Sequence, residues 1–283
     1  MEQIMNNKMP DEVRAEYFEV EPNVSLHITD GGQGRPIVFI HGWPLSDEMF
    51  EYQYNNLIDA GFRVVGISLR GFGKSDKPFG AYDYDVLTKD IDKILIQLEI
   101  NNAVLVGFSM GAAIAIRYVS AYYGAHISKL VLVGAAAPIW TQRPDFPYNL
   151  PLSAVDELIE LSQLDRPKLI SNFAKIFSAT EKSLNVGIRN WLYDMCMNAS
   201  PYATTQTLYA LRNTDLRGDL ENISIPTRIM HGKLDKICSF DLAKLMKAAI
   251  ADSEIIAFEN CGHSLILEET ARFNAEIIKF SEL

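Results

Sequence analysis

Ala103-Val-Leu-Val-Gly-Phe-Ser-Met-Gly-Ala-Ala113 is a short apolar, β-prone run, then a lone hydroxyl at Ser109 between Gly107 and Gly111, then a helix-forming run. The order predicts a strand, a sharp turn and a helix. Glycines on either side of the serine leave room for a strained turn in which neighbouring backbone passes close. Such a turn holds a nucleophile out at the C-terminal end of a strand. The following helix adds its positive N-terminal dipole, and the amide of Met110 is left to face an anion. The pattern is short, so its meaning depends on whether the rest of the chain supplies partners.

The chain has 283 residues, enough for one large α/β domain or a domain with an insertion. Its formal net charge of −10, without any Lys/Arg cluster, excludes a nucleic-acid surface, which needs a basic face. Cys196, Cys238 and Cys261 are an odd number at wide spacing, which fits neither a disulfide framework nor a Cys-x-x-Cys metal site. They read as reduced thiols, and a cytoplasmic location is expected. The N-terminus has no basic flank followed by an apolar core, so no secretory signal is expected. The longest apolar run, Ala103 to Ile116, falls short of the ~20 residues that a spanning helix needs, so no membrane partner is expected.

Working outward from the serine, the apolar runs Pro36–Ile40, Phe62–Leu69 and Ile127–Val133 read as strands buried on both faces, as parallel strands are. Glu16–Val20 and Ser25–Asp30 form an antiparallel edge hairpin. Ser46-Asp-Glu48 is a capping pattern for a helix that Gly61 stops, and Tyr84–Leu98 is amphipathic. The loop Arg70-Gly-Phe-Gly-Lys-Ser-Asp-Lys-Pro78 invites a phosphate-binding reading, which fails because a P-loop needs glycine at position 68 and Ser68 stands there. That loop is structural, with Arg70 and Asp76 bonding neighbouring turns. Thr227–Met230 and Glu254–Phe258 are the last strands, followed by helices over Ser239–Ile250 and Leu265–Phe280. Strands alternating with helices predict an α/β fold, a mostly parallel eight-stranded sheet covered on both faces, with ligands at the strands' C-terminal ends.

The alternation breaks once. After the sixth strand, residues 135–215 are rich in aromatics and helical pattern, including Ala154–Gln163 and Arg166–Phe177. An insertion at that point lies over the ligand edge, so it reads as a helical lid between two parts of the α/β core, 1–134 and 216–283. Most of its aromatics are the lid's own core. Trp140 and Phe146, with Trp43, are expected to bind substrate. Arg143 and Asp145 read as solvated loop charges.

A serine hydroxyl needs a base to take its proton, and the base needs an acid to fix its tautomer. His27 and His126 read as structural or solvent-facing. His41 and His231 each precede a glycine at a strand end, which suits a ring hydrogen-bonded to nearby backbone. His263 follows Gly262 in the loop after the last strand and is the best base. Asp235, after the preceding strand, is the best acid, ahead of Asp76, Asp145 and Glu259. The oxyanion hole takes one amide from Met110 and a second from Trp43, because Pro44 has none.

The motifs His41-Gly-Trp-Pro-Leu-Ser46, Arg70–Pro78, Gly107-Phe-Ser-Met-Gly111, His231-Gly-x-x-Asp235 and Gly262-His263, in this order, resemble the α/β-hydrolase superfamily. Within it, the chain is similar to the cofactor-free haloperoxidase and aryl esterase branch. The resemblance implies the α/β-hydrolase fold, Ser109 as nucleophile, His263 as base, Asp235 as acid, Met110 and Trp43 as oxyanion donors, and no cofactor. The chain departs from the branch at Phe108 (often His), Ala112 (commonly Gly), Ser68 (Asp in the branch) and Cys238-Ser239 (usually Val-Pro). An elbow serine disfavours the dehalogenase and epoxide-hydrolase chemistries, for which the superfamily uses aspartate. The expected function is hydrolysis of small to medium carboxylic esters with an apolar acyl part. The alternatives are perhydrolysis on the same triad and a small-molecule receptor on the hydrolase scaffold.

Overall fold

The computed structural model describes residues 14–282, so the N-terminal stretch read for a secretory signal lies outside the described residues. Strands β1 (Arg14–Glu21) and β2 (Val24–Gly32) form the expected hairpin, with Asn23 in its turn at φ 65°. β3 (Pro36–Ile40), β4 (Arg63–Ile67), β5 (Ala103–Phe108), β6 (Ile127–Val133), β7 (Thr227–Gly232) and β8 (Ser253–Phe258) complete one eight-stranded sheet in the order β1-β2-β4-β3-β5-β6-β7-β8. β1–β2 and β2–β4 pair antiparallel, and every other neighbour pairs parallel. Every residue of β5 and β7 is buried, which is why the central strands read as continuous apolar runs, whereas edge strand β1 is mostly exposed.

The helices form two packed groups against this sheet: α1 (Glu51–Asp59) with α11 (Thr270–Glu282), and α3 (Met110–Ala121) with α2 (Tyr84–Gln97) and α8 (Arg217–Glu221). α2 starts at Asp83, whose carboxylate accepts the Val86 N–H, and buries Leu87, Ile91, Ile94 and Leu95. Two expectations about helix ends need correction. Ser46 makes no capping bond, and Asp47–Phe50 is a 3₁₀ turn whose Asp47 is drawn inward to the Thr29 and Ser68 hydroxyls. The closing helix is broken into α10 (Leu265–Glu268) and α11. Glu269 leaves the helical region between them and accepts from the Cys261 thiol and Arg272.

Between β6 and β7 run α4 (Leu152–Leu164), α5 (Arg166–Ile176), α6 (Val186–Asn198), α7 (Pro201–Asn213) and α8, where the sequence located only the first two. α4 packs on α5 and α7, and α5 packs on α6. Arg70, in the glycine-rich loop, pairs with Asp90 of α2 and with Glu21 of β1, and Asp76 accepts the Ser25 N–H, so that loop ties strands to a helix. No helix among the described residues is long and apolar enough to cross a membrane.

Candidate active site

The connections leaving β3, β5, β6, β7 and β8 all emerge at one edge of the sheet, and each contributes to one cluster of side chains. Ser109 stands between β5 and α3 with φ 55° and ψ −115°, a region that costs about 1–3 kcal/mol for a residue with a side chain. Its N–H donates to the Val133 carbonyl at 2.8 Å, and its own carbonyl accepts the N–H groups of Ala112, Ala113 and Ala136. The flanking glycines are required by packing. A Cβ on Gly111 would stand 2.2 Å from the Ile40 carbonyl oxygen, and one on Gly107 would stand 2.5 Å from that of Gly111.

Asp235 and His263, the expected acid and base, lie in the loops after the last two strands. Asp235 Oδ1 accepts the N–H groups of Ile237 and Cys238, each at 2.8 Å, which fixes the carboxylate and turns Oδ2 to His263 Nδ1 at 2.7 Å. Both side chains are fully buried. Burial alone would raise the Asp235 carboxyl, but the charge of His263 and hydrogen bonds from His231 and His263 hold it well below the usual carboxylate range. An ionised carboxylate can only accept, so Nδ1 of His263 is the donor and the lone pair of the neutral ring lies on Nε2. Nε2 is buried and has no partner among the described residues. Room for this pair exists because residue 134 is glycine at φ 50°: a Cβ there would stand 3.2 Å from His263 Nδ1.

The loop carrying the base is held by one carboxylate. Glu268 accepts the Gly262 N–H at 2.8 Å, the Ser264 hydroxyl at 2.9 Å and, from the helical segment, the Ala179 N–H at 2.9 Å. The His263 ring lies between Phe108 (centroids 4.9 Å apart) and Phe177 (5.7 Å).

The two residues expected to donate amides lie in the connections after β5 and β3. Met110 opens α3, so its N–H belongs to the first turn and lacks an intrahelical acceptor. The Trp43 N–H has no acceptor among the described residues. The Trp43 indole donates to the Thr204 carbonyl at 3.0 Å and meets Phe173 edge-on at 5.3 Å. Trp43 and Trp140 both line a cavity of about 120 Å³ closed by Leu158, Leu169, Phe173 and Ile237. Phe146 is placed elsewhere, against Tyr148 and bridged to Arg143, and does not line this cavity.

His41 is wholly buried. Its Nδ1 meets the Gly42 carbonyl at 2.9 Å and its Nε2 accepts the Leu69 N–H at 3.0 Å, so the neutral ring satisfies both nitrogens. Desolvation lowers its pKa to about 4, against smaller opposing effects of the Gly42 carbonyl and Asp47. His126 Nδ1 bonds the Ile100 carbonyl. The weaker acid candidates have other partners: Asp145 pairs with Arg217, and Glu259 with Lys233.

Sequence reasoning undervalued three neighbours of the cluster. His231 does bond backbone, at 2.8 Å from the Cys238 carbonyl, yet its Nε2 also lies 3.4 Å from Asp235 Oδ2; the spacing His231-x-x-x-Asp235 was the available signal. Phe177 had no signal beyond being apolar. Burial, with the nearby charge of Asp235, pushes the Cys238 thiol far up, opposed by the side chains of Trp140 and Ser109 beside it. Cys238 is therefore an inert thiol packed against the serine.

The likeness to known proteins extends over nearly the whole chain. It is 45% identical over 265 residues to the AB hydrolase superfamily protein YisY of Bacillus subtilis (strain 168), covering 94% of this chain and 98% of that one. A solved esterase (EaEST) from Exiguobacterium antarcticum superposes with a TM-score of 0.93 at 38% identity, covering 95% of this chain and 100% of the esterase. A bromoperoxidase from Bacillus anthracis gives a TM-score of 0.93 at 34% identity, over 95% of this chain and 100% of that one. With residues 35–270 matching the family's sequence profile and the site at the expected edge of the sheet, the chain belongs to the alpha/beta hydrolase fold family.

Proposed function

We propose that this hydrolase cleaves carboxylic esters with a small to medium apolar acyl group through an acyl-enzyme on Ser109. The observation that carries the reading is the buried Asp235–His263 pair at 2.7 Å, with His263 Nε2 unpartnered at the sheet edge where Ser109 is held at φ 55°. His263 Nε2 takes the Ser109 proton as Oγ attacks the ester carbonyl, and Asp235 stabilises the imidazolium. The amides of Trp43 and Met110 receive the oxyanion, each contributing about 10²-fold to 10³-fold in rate. The C–O bond to the alcohol then breaks, and the alcohol leaves with the proton from His263. Water attacks the acyl-enzyme by the reverse sequence and releases the acid. Residues 135–215 act as a lid, and Trp43 and Trp140 wall an apolar cavity for the substrate.

The structural likeness to a bromoperoxidase supports a second use of the same acyl-enzyme. Hydrogen peroxide in place of water gives a peracid, and a rate comparison of the two acceptors separates the readings.

The test is labelling with a fluorophosphonate, together with hydrolysis of p-nitrophenyl butyrate. The wild-type protein is labelled on Ser109, and Ser109→Ala loses about 10⁶-fold in kcat. Folded protein that takes no label, or a Ser109→Ala variant with an unchanged rate, overturns the reading.

A further inference from the structure

Arg189 of α6 is an arginine whose side chain has no partner among the described residues. From Arg35 onward every other arginine donates to a carboxylate or a carbonyl, whereas the Arg189 side chain makes no hydrogen bond and no ion pair with any described residue, and its Nε is buried. A guanidinium left this way in a chain of net charge −10 is unusual, because burying an unsatisfied polar group costs free energy and acidic partners are abundant.

Its position relates it to the site. Arg189 lines a narrow apolar cavity of about 30 Å³ whose walls include Leu45, Phe173, Phe177 and Leu192. Phe177 is the ring that packs on His263, and Leu45 lies two residues beyond Trp43. Arg189 also lines an open groove of about 350 Å³ on the outer side, with Lys175, Glu181 and Asn190. Ala174 and Tyr193 are common to both, so cavity and groove meet at Arg189. Lys175 and Glu181 cancel in charge, which leaves the groove one net positive charge, that of Arg189.

We infer that Arg189 binds a carboxylate at the far end of the acyl chain, so that the substrates include monoesters of dicarboxylic acids. This inference rests on the serine-esterase reading. The methylenes occupy the apolar cavity, the ester carbonyl meets Ser109, and the terminal carboxylate meets the planar fork of the guanidinium, which matches it in two hydrogen bonds. A single net charge in the groove suits a monoanion. Arg189 is a specificity residue; it takes no part in bond making.

The experiment compares the mono-p-nitrophenyl ester of adipic acid with its uncharged analogue, in which the far carboxyl is a methyl ester. Wild-type protein prefers the charged ester by about tenfold in kcat/KM, expressed in KM, as expected for one charge-assisted contact. R189Q abolishes that preference while hydrolysis of the neutral ester stays near wild type, which also reports that the variant is folded. Added salt erodes the wild-type preference and leaves the neutral ester unaffected. That arm decides the matter if R189Q does not fold. Equal rates on the two esters in wild type, a preference that survives in R189Q, or one indifferent to salt overturns the inference while leaving the esterase intact. Hydrolysis of neither ester overturns the serine-esterase reading itself.

Discussion

Two buried aspartates in this molecule each have a histidine beside them, and the two pairs are arranged differently. Asp235, after β7, gives one oxygen to two backbone amides and leaves the other for His263 at 2.7 Å. Asp47, in the 3₁₀ turn after β3, gives its oxygens to the hydroxyls of Thr29 and Ser68, and His27 Nδ1 stands off at 3.5 Å. Burial raises both carboxyls and their partners more than reverse it, so both are held low. The difference lies in what the histidine can reach. Nε2 lacks a hydrogen-bond partner among the described residues in both rings, but His263 projects from a glycine-flanked loop at the sheet's carboxyl edge, while His27 lies within the body of β2. Under the proposed function, a histidine–aspartate contact becomes a base where backbone amides hold the rest of the carboxylate and the far nitrogen lies at the ligand edge of the sheet.

Substitutions can break this comparison, and the largest expected effect is on the catalytic side. Asp235→Asn keeps the shape of the site but lets His263 adopt the wrong tautomer, and should cost about 10⁴-fold in kcat/KM for p-nitrophenyl butyrate. Steady-state kinetics on a variant with native circular dichroism would check it; a loss below tenfold would show that Asp235 is no more catalytic than Asp47.

Asp47→Asn should do the reverse. Removing the charge from a buried, fully bonded carboxylate should lower stability by roughly 3 to 4 kcal/mol, read from the urea midpoint, while kcat/KM stays within about tenfold. A larger kinetic loss would mean that this cluster positions the Trp43 amide and belongs to the machinery.

A smaller effect separates the two aspartates from His41 by pH. Both carboxyls sit below their unfolded value of 3.8, so their contributions are fully present above that pH and are lost only as pH falls further. His41 is shifted down as well, from 6.5 to about 4, so it too binds fewer protons folded than unfolded, but across a higher pH interval. Its contribution is therefore complete above pH 6.5 and declines by about 3 kcal/mol as pH falls to 4. Urea titrations across that interval should show the decline in wild type and a flatter profile in His41→Gln, which starts less stable. Identical slopes would assign the decline to another group.

The smallest expected effect is that of Ser68→Ala. It leaves Asp47 one hydrogen-bond donor short and should cost about 1 kcal/mol, read from the urea midpoint, with kcat/KM unchanged.

Much of this was legible in the residues because each feature depends on local chemistry. β5 and β7 are buried on both faces, so they are continuous apolar runs, and the loops after them carry Ser109 and Asp235 immediately. Gly107 and Gly111 are glycines because neighbouring backbone leaves no space for a Cβ, and Gly134 holds a positive φ beside the His263 ring. The segment between β6 and β7 was harder to read. Its α6 and α7 bury residues against one another's neighbours as well as against the core, so their apolar positions do not fall on one clean stripe. Phe146 looked like a pocket aromatic but packs on Tyr148, whereas Phe177, equally apolar, touches the base. Composition cannot distinguish them, because the distinction is made by contacts distant in sequence. Ser46 carries a sound capping signal that the tertiary pull on Asp47 overrides.

One carboxylate has a consequence for modularity. Glu268 takes one hydrogen bond from Ala179 of the helical segment and two from the loop of His263, while the Ser264 N–H reaches back to the Phe177 carbonyl. The helical segment and the base's loop are thus stapled into one part. A foreign helical segment grafted at residues 135 and 215 therefore has to bring backbone that offers Glu268 the same N–H, or it will shift the loop of His263 along with the segment itself.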